Sequence, residues 1–198
     1  MENKGKYRFD RFREELSQES FTHFFDFYFS RLISFAITLV KSEILAEEIV
    51  IDVFLKLWEQ RKGLHAINNI ETYLFIAVRN QSINTLKKEQ KFHFDMLEDS
   101  HIQLAGYKPS AESLLIENEM LEALNKAVAQ LPAKCKIIFK LIREDGLNRN
   151  EVAQVLNISA KTVDHQVSIA VKKIAEHLNI DLSTPKNQNG LTAFLLTL

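Results

Sequence analysis

The chain has 198 residues, 46% of them apolar and 26% charged, enough for one medium domain or two small ones that bury a core. Its 25 basic and 26 acidic residues nearly cancel, and the pI is about 6.6, so any nucleic-acid binding must come from local patches and not from total charge. Five glycines and three prolines are too few for a turn-rich sheet protein, and a single cysteine, Cys135, excludes an internal disulfide and a multi-cysteine zinc site.

The opening "MENKGKYRFDRFREELSQ" alternates charge and lacks the apolar centre of a secretory signal. The longest apolar run, "LISFAITLV", is too short to span a bilayer, so a cytoplasmic location is expected. From Phe21 onward, Phe21, Phe24, Phe25, Tyr28, Leu32, Phe35, Ala36 and Leu39 recur in steps of three and four, which predicts one long amphipathic helix. A second helix begins near Ser42 with Leu45, Ile49, Val53, Phe54 and Leu57 inside. Its other face carries Glu48, Asp52, Lys56 and Glu59, with Ile51 and Leu55 among them. A third runs from about Ile70 to Lys88, with Tyr73, Leu74, Ala77, Val78 and Leu86 as expected core contacts.

The pattern then breaks. "DMLEDSHIQLAGYKPSAES" has no sustained period and contains Gly106 and Pro109, as a linker would. A further helix ends at "LP" (131–132), because proline disfavours helical geometry in the residue before it. "AKCKIIFKLIRED" is the next, stopped by Gly146, and two more follow at Asn148–Leu156 and from Ser159 to about Leu178. The fold class expected is all-α, with two helical domains joined by a linker: residues 1–92, a linker at 93–111, residues 112–180 and a tail at 181–198. The tail ends in the apolar "LTAFLLTL", which either folds back onto the second domain or meets a partner.

The last two helices have the form of a helix-turn-helix. Val152, Ala153 and Leu156 supply the inner face of its first helix, Ile158 plugs the turn, and Asn157 suits a left-handed turn residue. Val163 and Val167 bury the second helix, which turns Ser159, Lys161, Thr162, Asp164, His165 and Ser168 outward. Arg149, Lys172 and Lys173 lie near enough to meet phosphates. No metal-ligand spacing surrounds His165, and no cofactor motif, phosphate-cradling glycine loop or nucleophile–base set supports an enzyme or a small-molecule substrate.

"LAEEIVIDVFLKLWEQR" with "IETYLFIAVRNQSINTLKK" resembles region two of the extracytoplasmic-function sigma factors. "LNKAVAQLPAKCKIIFKLIREDGLNRNEVAQVLNISAKTVDHQVSIAVKKI" resembles their region four, in the family's order and with a linker between. The resemblance implies a bacterial initiation factor, not an enzyme, that binds core RNA polymerase at the β′ clamp helices and the β flap and directs it to promoter DNA. It assigns Glu48, Asp52, Leu55 and Trp58 to the polymerase contact, with core packing as an equal alternative for Trp58. It assigns Arg79, Asn80, Asn84, Lys87, Lys88 and Lys91, with Asn68, Asn69 and His65 of the preceding loop, to the minus-ten element. The minus-thirty-five element falls to Ser159, Lys161, Thr162, His165, Ser168, Lys172 and Arg149. Ile169 stands where many members have arginine, so a contact is expected to be missing there. An anti-sigma factor is an implied further partner.

Charge divides by position in the same way. Residues 61–91 carry a net charge of +4, from six basic residues against Glu71 and Glu89. Lys134, Lys136, Lys140 and Arg143 form a second basic group, and residues 95–122 hold seven acids against Lys108. Two other readings stay open: a helix-turn-helix regulator that binds a palindrome as a dimer without polymerase, and a helical adaptor that mimics a sigma factor.

Overall fold

A computed structural model describes residues 2–88 and 115–181, with side chains from 4 to 88 and from 122 to 181. The described residues are helical, without a strand. They form α1 (Glu2–Glu15), α2 (Gln18–Val40), α3 (Glu43–Glu59), a short 3-10 segment (Arg61–Ala66), α4 (Ile70–Lys88), α5 (Leu115–Ala129), α6 (Ala133–Arg143), α7 (Arg149–Leu156) and α8 (Ala160–His177). The expected linker, Lys91, the acidic residues from Asp95 to Glu112 and the apolar tail lie outside the described residues.

The first block is built on the α2 stripe. Ser17 caps α2 by accepting from the Ser20 N–H, and Ser42 caps α3 by accepting from the Leu45 N–H. Between them a single left-handed residue, Lys41 at φ 57°, folds α3 back onto α2. Phe24 is the centre of the core: its ring lies 5.2–5.9 Å from those of Phe9, Phe12, Tyr28 and Phe54. By length and composition α2 passes as a membrane span, yet Phe24, Tyr28, Leu32, Phe35 and Ala36 are buried among its neighbouring helices.

α1 is a departure from the sequence expectation. Only Phe9 and Phe12 in its charged stretch signal burial, and both are buried against α2. Gly5 permits the approach, because a Cβ there would stand 2.3 Å from the Tyr28 hydroxyl.

In the second block α8 is the central helix, packed against α5, α6 and α7. Val163, Val167, Ala170, Val171 and Ile174 form its buried stripe. Gly146 follows α6 at φ 72°, the left-handed position for which its type was expected. The second basic group is not a surface patch: Lys136 is buried and donates to the Ala129 carbonyl, with its pKa lowered by burial. Lys140 pairs with Glu144, and Arg143 lies half-buried over the Phe139 ring. The two blocks touch, α7 against α4.

Replacing Phe24 by alanine should destabilise the first block by about 3–5 kcal/mol, since the cavity opens among four rings that cannot collapse into it. Thermal melting followed by circular dichroism checks this, and an unchanged midpoint would contradict the assignment of Phe24 to the core centre.

Candidate nucleic-acid and polymerase interfaces

The helix-turn-helix is held by local hydrogen bonds that the sequence encodes residue by residue. The Asn148 side chain accepts from the N–H groups of Asn150 and Glu151 at 3.0 and 3.1 Å, while Glu151 accepts from the Asn148 N–H at 2.7 Å. This reciprocal box starts α7. The helix ends at Asn157, at φ 55° and ψ 48°, and the Ile158 N–H then donates to the Ala153 carbonyl at 3.0 Å. Ser159 at once caps α8 by accepting from the Thr162 N–H at 3.1 Å.

With Val163 and Val167 buried, the outer face of α8 presents Lys161, Thr162, Asp164, His165, Ser168 and Lys172 to solvent, with Ser159 exposed at its start. Several of these already have intramolecular partners. The hydroxyls of Ser159 and Thr162 pair at 2.8 Å, Ser168 donates to the Asp164 carbonyl, and Arg149 forms an ion pair with Asp164 at 3.1 Å. Lys161 and His165 are the exposed side chains at the centre of this face. Ile169 is half-buried against the core, so at this position the chain packs a side chain inward.

On α4 the buried residues are Ile70, Thr72, Leu74, Phe75, Val78 and Ser82. Asn80, Asn84, Lys87 and Lys88 therefore share an exposed stripe, and Tyr73 joins them one end further on, 39% exposed. The sequence expectation placed Tyr73 in the core. The helical period corrects it: seven residues before Asn80 and eleven before Asn84 is the same face. Arg79 lies off the stripe, half-buried, and bonds to Asn80 at 3.2 Å, with burial lowering its pKa.

The loop before α4 divides its residues. Leu64 is buried as its anchor, while His65, Asn68 and Asn69 are exposed. Asn69 is a structural residue in this arrangement: its Oδ1 accepts from the Thr72 N–H at 3.0 Å, capping α4, and its Nδ2 donates to Glu151 of α7 at 2.6 Å.

α3 carries an exposed apolar line flanked by acids. Ile44, Ile51 and Leu55 are 82%, 38% and 55% exposed, and Glu48 and Glu59 follow the same line. Asp52 sits at its edge and accepts from Gln81 at 3.3 Å. Ile44 extends the face beyond the residues read from sequence, though its spacing of seven from Ile51 marks it. For Trp58 the structure shows the core packing that stood as its equal alternative. Its ring packs on Phe12 and Phe21 at 6.0 and 4.9 Å, and the Arg61 guanidinium covers it at 4.4 Å. The ring is thereby engaged in the core's margin, because it closes the gap between α1, α2 and α3.

The turn makes a sharp demand on residue type. Asn157→Val should cost the second block about 1–2 kcal/mol, because a β-branched residue resists positive φ, whereas Asn157→Gly should not destabilise it. Equal melting curves for the two variants would show that the left-handed turn does not govern the motif.

Comparison with known families agrees with the two blocks. The model described as Sigma-70 region 2 matches residues 24–92, and that described as Sigma-70, region 4 matches residues 121–174, together more than half of the chain. No curated protein matches it. A chain helical throughout its described blocks, with these two regions in this order and a capped helix-turn-helix in the second, belongs to the sigma-70 family of transcription initiation factors, which act in promoter recognition with RNA polymerase.

Proposed function

We propose that the chain is an extracytoplasmic-function type sigma factor, a cytoplasmic and non-enzymatic subunit that docks on core RNA polymerase and selects promoters by reading two elements. The observation that carries this reading is the outward face of α3, an apolar line of Ile44, Ile51 and Leu55 bordered by Glu48, Asp52 and Glu59. A monomeric chain gains nothing from holding such a line in water, and an apolar stripe rimmed by charge is what a protein partner covers. In this reading α3 meets the β′ clamp helices and the second block meets the β flap.

The first block, residues 1–92, then holds the minus-ten element. Lys87 and Lys88 follow the phosphates of the opened strand, Asn80 and Asn84 bond base edges, and Tyr73 offers a ring for stacking. The second block, residues 112–180, lays α8 in the major groove of the minus-thirty-five element, with Lys161 and His165 foremost and Arg149 released from Asp164 to meet a phosphate. Residues 93–111 serve as the linker and 181–198 as a tail, and an anti-sigma factor is a further partner. A dimeric regulator would bury the α3 face against its own copy, and it is the match of residues 24–92 to Sigma-70 region 2 that disfavours that reading.

The test is to mix the purified chain with core polymerase and a promoter library and to sequence the transcripts. Start-site selection is expected, and its absence together with no core binding would sink the proposal. Two variants separate the blocks. Leu55→Asp should weaken core binding by at least about tenfold, as loss of a central apolar contact does. Lys161→Glu should weaken minus-thirty-five duplex binding by about tenfold and leave core binding unchanged. Loss of core binding by Lys161→Glu would refute the division of labour.

A further inference from the structure

α8 carries two acids, and they stand in different places. Glu176 belongs to the last turn and pairs with Lys172 at 4.0 Å, whereas Asp164 is the fifth residue of the helix, between Lys161 and Ser168 on the exposed face. A carboxylate on a face that meets DNA is repelled by every phosphate and by most base edges, so Asp164 runs against the charge of its surroundings. Its partner is Arg149, the first residue of α7, at 3.1 Å, with 55% of the arginine and 50% of the aspartate side chain exposed.

The pair is not needed to join the two helices. Val152, Ala153 and Val155 of α7 and Val163 and Val167 of α8 are buried, Asn157 fixes the turn, and an ion pair this exposed adds little to such packing. The small hydroxyls beside it are already engaged. Ser159 and Thr162 bond to each other at 2.8 Å, and Ser168 donates to the Asp164 carbonyl at 2.9 Å. Lys161 offers donors alone and the Asp164 side chain acceptors alone, so the two present opposite chemistry one turn apart.

We propose that Asp164 is a specificity residue of the helix-turn-helix, selecting cytosine in the upstream element by accepting from its N4 amino group once Arg149 has left the carboxylate for a phosphate. The inference rests on the reading of α8 as the minus-thirty-five helix and names the base that one of its side chains prefers. The chemistry of the major groove decides the base. Guanine and thymine present acceptors there, N7 and O6 or O4, which repel a carboxylate. Adenine sets its amino group beside an N7 acceptor, which suits an amide, while cytosine offers N4 as a donor without N7. In the free chain Arg149 neutralises Asp164, so the acid costs little in a first, non-specific encounter. Moving Arg149 to the backbone strengthens binding on any sequence, and the uncovered Asp164 is then tolerated where an amino group meets it. A positioning contact and a base test are coupled in one exchange.

The experiment selects from duplexes randomised across the upstream element, using the full chain bound to core polymerase, and sequences the retained pool. The parent should enrich cytosine at one position. Replacing that C·G pair by T·A turns the amino donor into a carbonyl acceptor and should weaken binding by at least about tenfold. Asp164→Ala should bind the C·G and T·A duplexes within about twofold of each other, and Asp164→Asn should move the preference towards adenine. Arg149→Ala should weaken all duplexes alike, lower the salt dependence by about one phosphate contact and keep the cytosine. Circular dichroism checks the helicity of each variant. A parent without a cytosine preference would overturn the proposal, whatever the variants' folding. So would a folded Asp164→Ala or Asp164→Asn chain that retains the preference, or its loss in folded Arg149→Ala, which would make Asp164 a brace for the arginine. Failure of the parent to bind core polymerase would instead sink the sigma-factor reading, and the same selection with the full chain alone then judges Asp164 by the same outcomes.

Discussion

Phe24 is enclosed by four aromatic rings drawn from three helices, and the geometry of the first block follows from keeping those rings in contact. Once α2 must bury Phe24, Tyr28 and Leu32, α3 is obliged to lay Ala46, Ile49, Val53 and Phe54 against it. A helix has a fixed period, so burying that set turns Ile44, Glu48, Ile51 and Leu55 outward on one line. The exposed face of α3 is therefore a consequence of the aromatic core. The same core holds Trp58 through Phe12 and Phe21, and Trp58 in turn seats Arg61 at the start of the loop that leads to α4. The exposed face of α3 and the loop before α4 thus share one mechanical support.

How much of this was legible in the sequence depended on whether the signal was local. The capping residues Ser42, Asn148 and Ser159, the left-handed Asn157 and the stop at Gly146 act through bonds or dihedral preferences within a few residues, and each stands where its type predicts. The outward face of α8 followed from Val163 and Val167 alone. Tyr73 was misread because an aromatic in an apolar stretch suggests burial, while the stripe it belongs to is defined by residues up to fifteen positions later. α1 was missed for a related reason: two phenylalanines among charges make a weak period, and their burial depends on a distant stripe of α2 and on Gly5 allowing close approach. Lys136 shows the limit of reading charge from sequence. Its neighbours suggested a basic patch, and only the end of α5 supplies the carbonyl that draws the amine inside.

The contact between blocks was beyond sequence reasoning altogether, since Arg31 and Asp145 lie 114 residues apart and neither carries a local signature. Its chemistry also explains why a chain of nearly neutral charge can serve as a reader of nucleic acid. Acids do not merely dilute the basic groups here; they are placed on them. Asp164 holds Arg149, Asp145 and Glu71 hold Arg31, and Glu144 holds Lys140. The exposed one, Arg149 with Asp164, is worth little in water and exchanges readily for phosphate, which offers a stronger and bidentate partner to arginine. Lys161, Lys87 and Lys88 remain exposed on their helical faces, so in the proposed reading a first, weak encounter with DNA forms before any pair is broken.

That arrangement shifts the source of affinity from charge to assembly. In the proposed reading a helix-turn-helix with few exposed basic side chains binds a short duplex weakly on its own, and a first block with a few lysines holds a single strand weakly. In the proposed reading the two, joined on one chain and anchored through the apolar line of α3, act at high effective concentration, and their weak contacts add. The neutral composition and the Arg149–Asp164 pair then act in the same direction: in the proposed reading each weakens the isolated chain as a ligand for DNA and leaves its affinity to be supplied by the surface on which it docks.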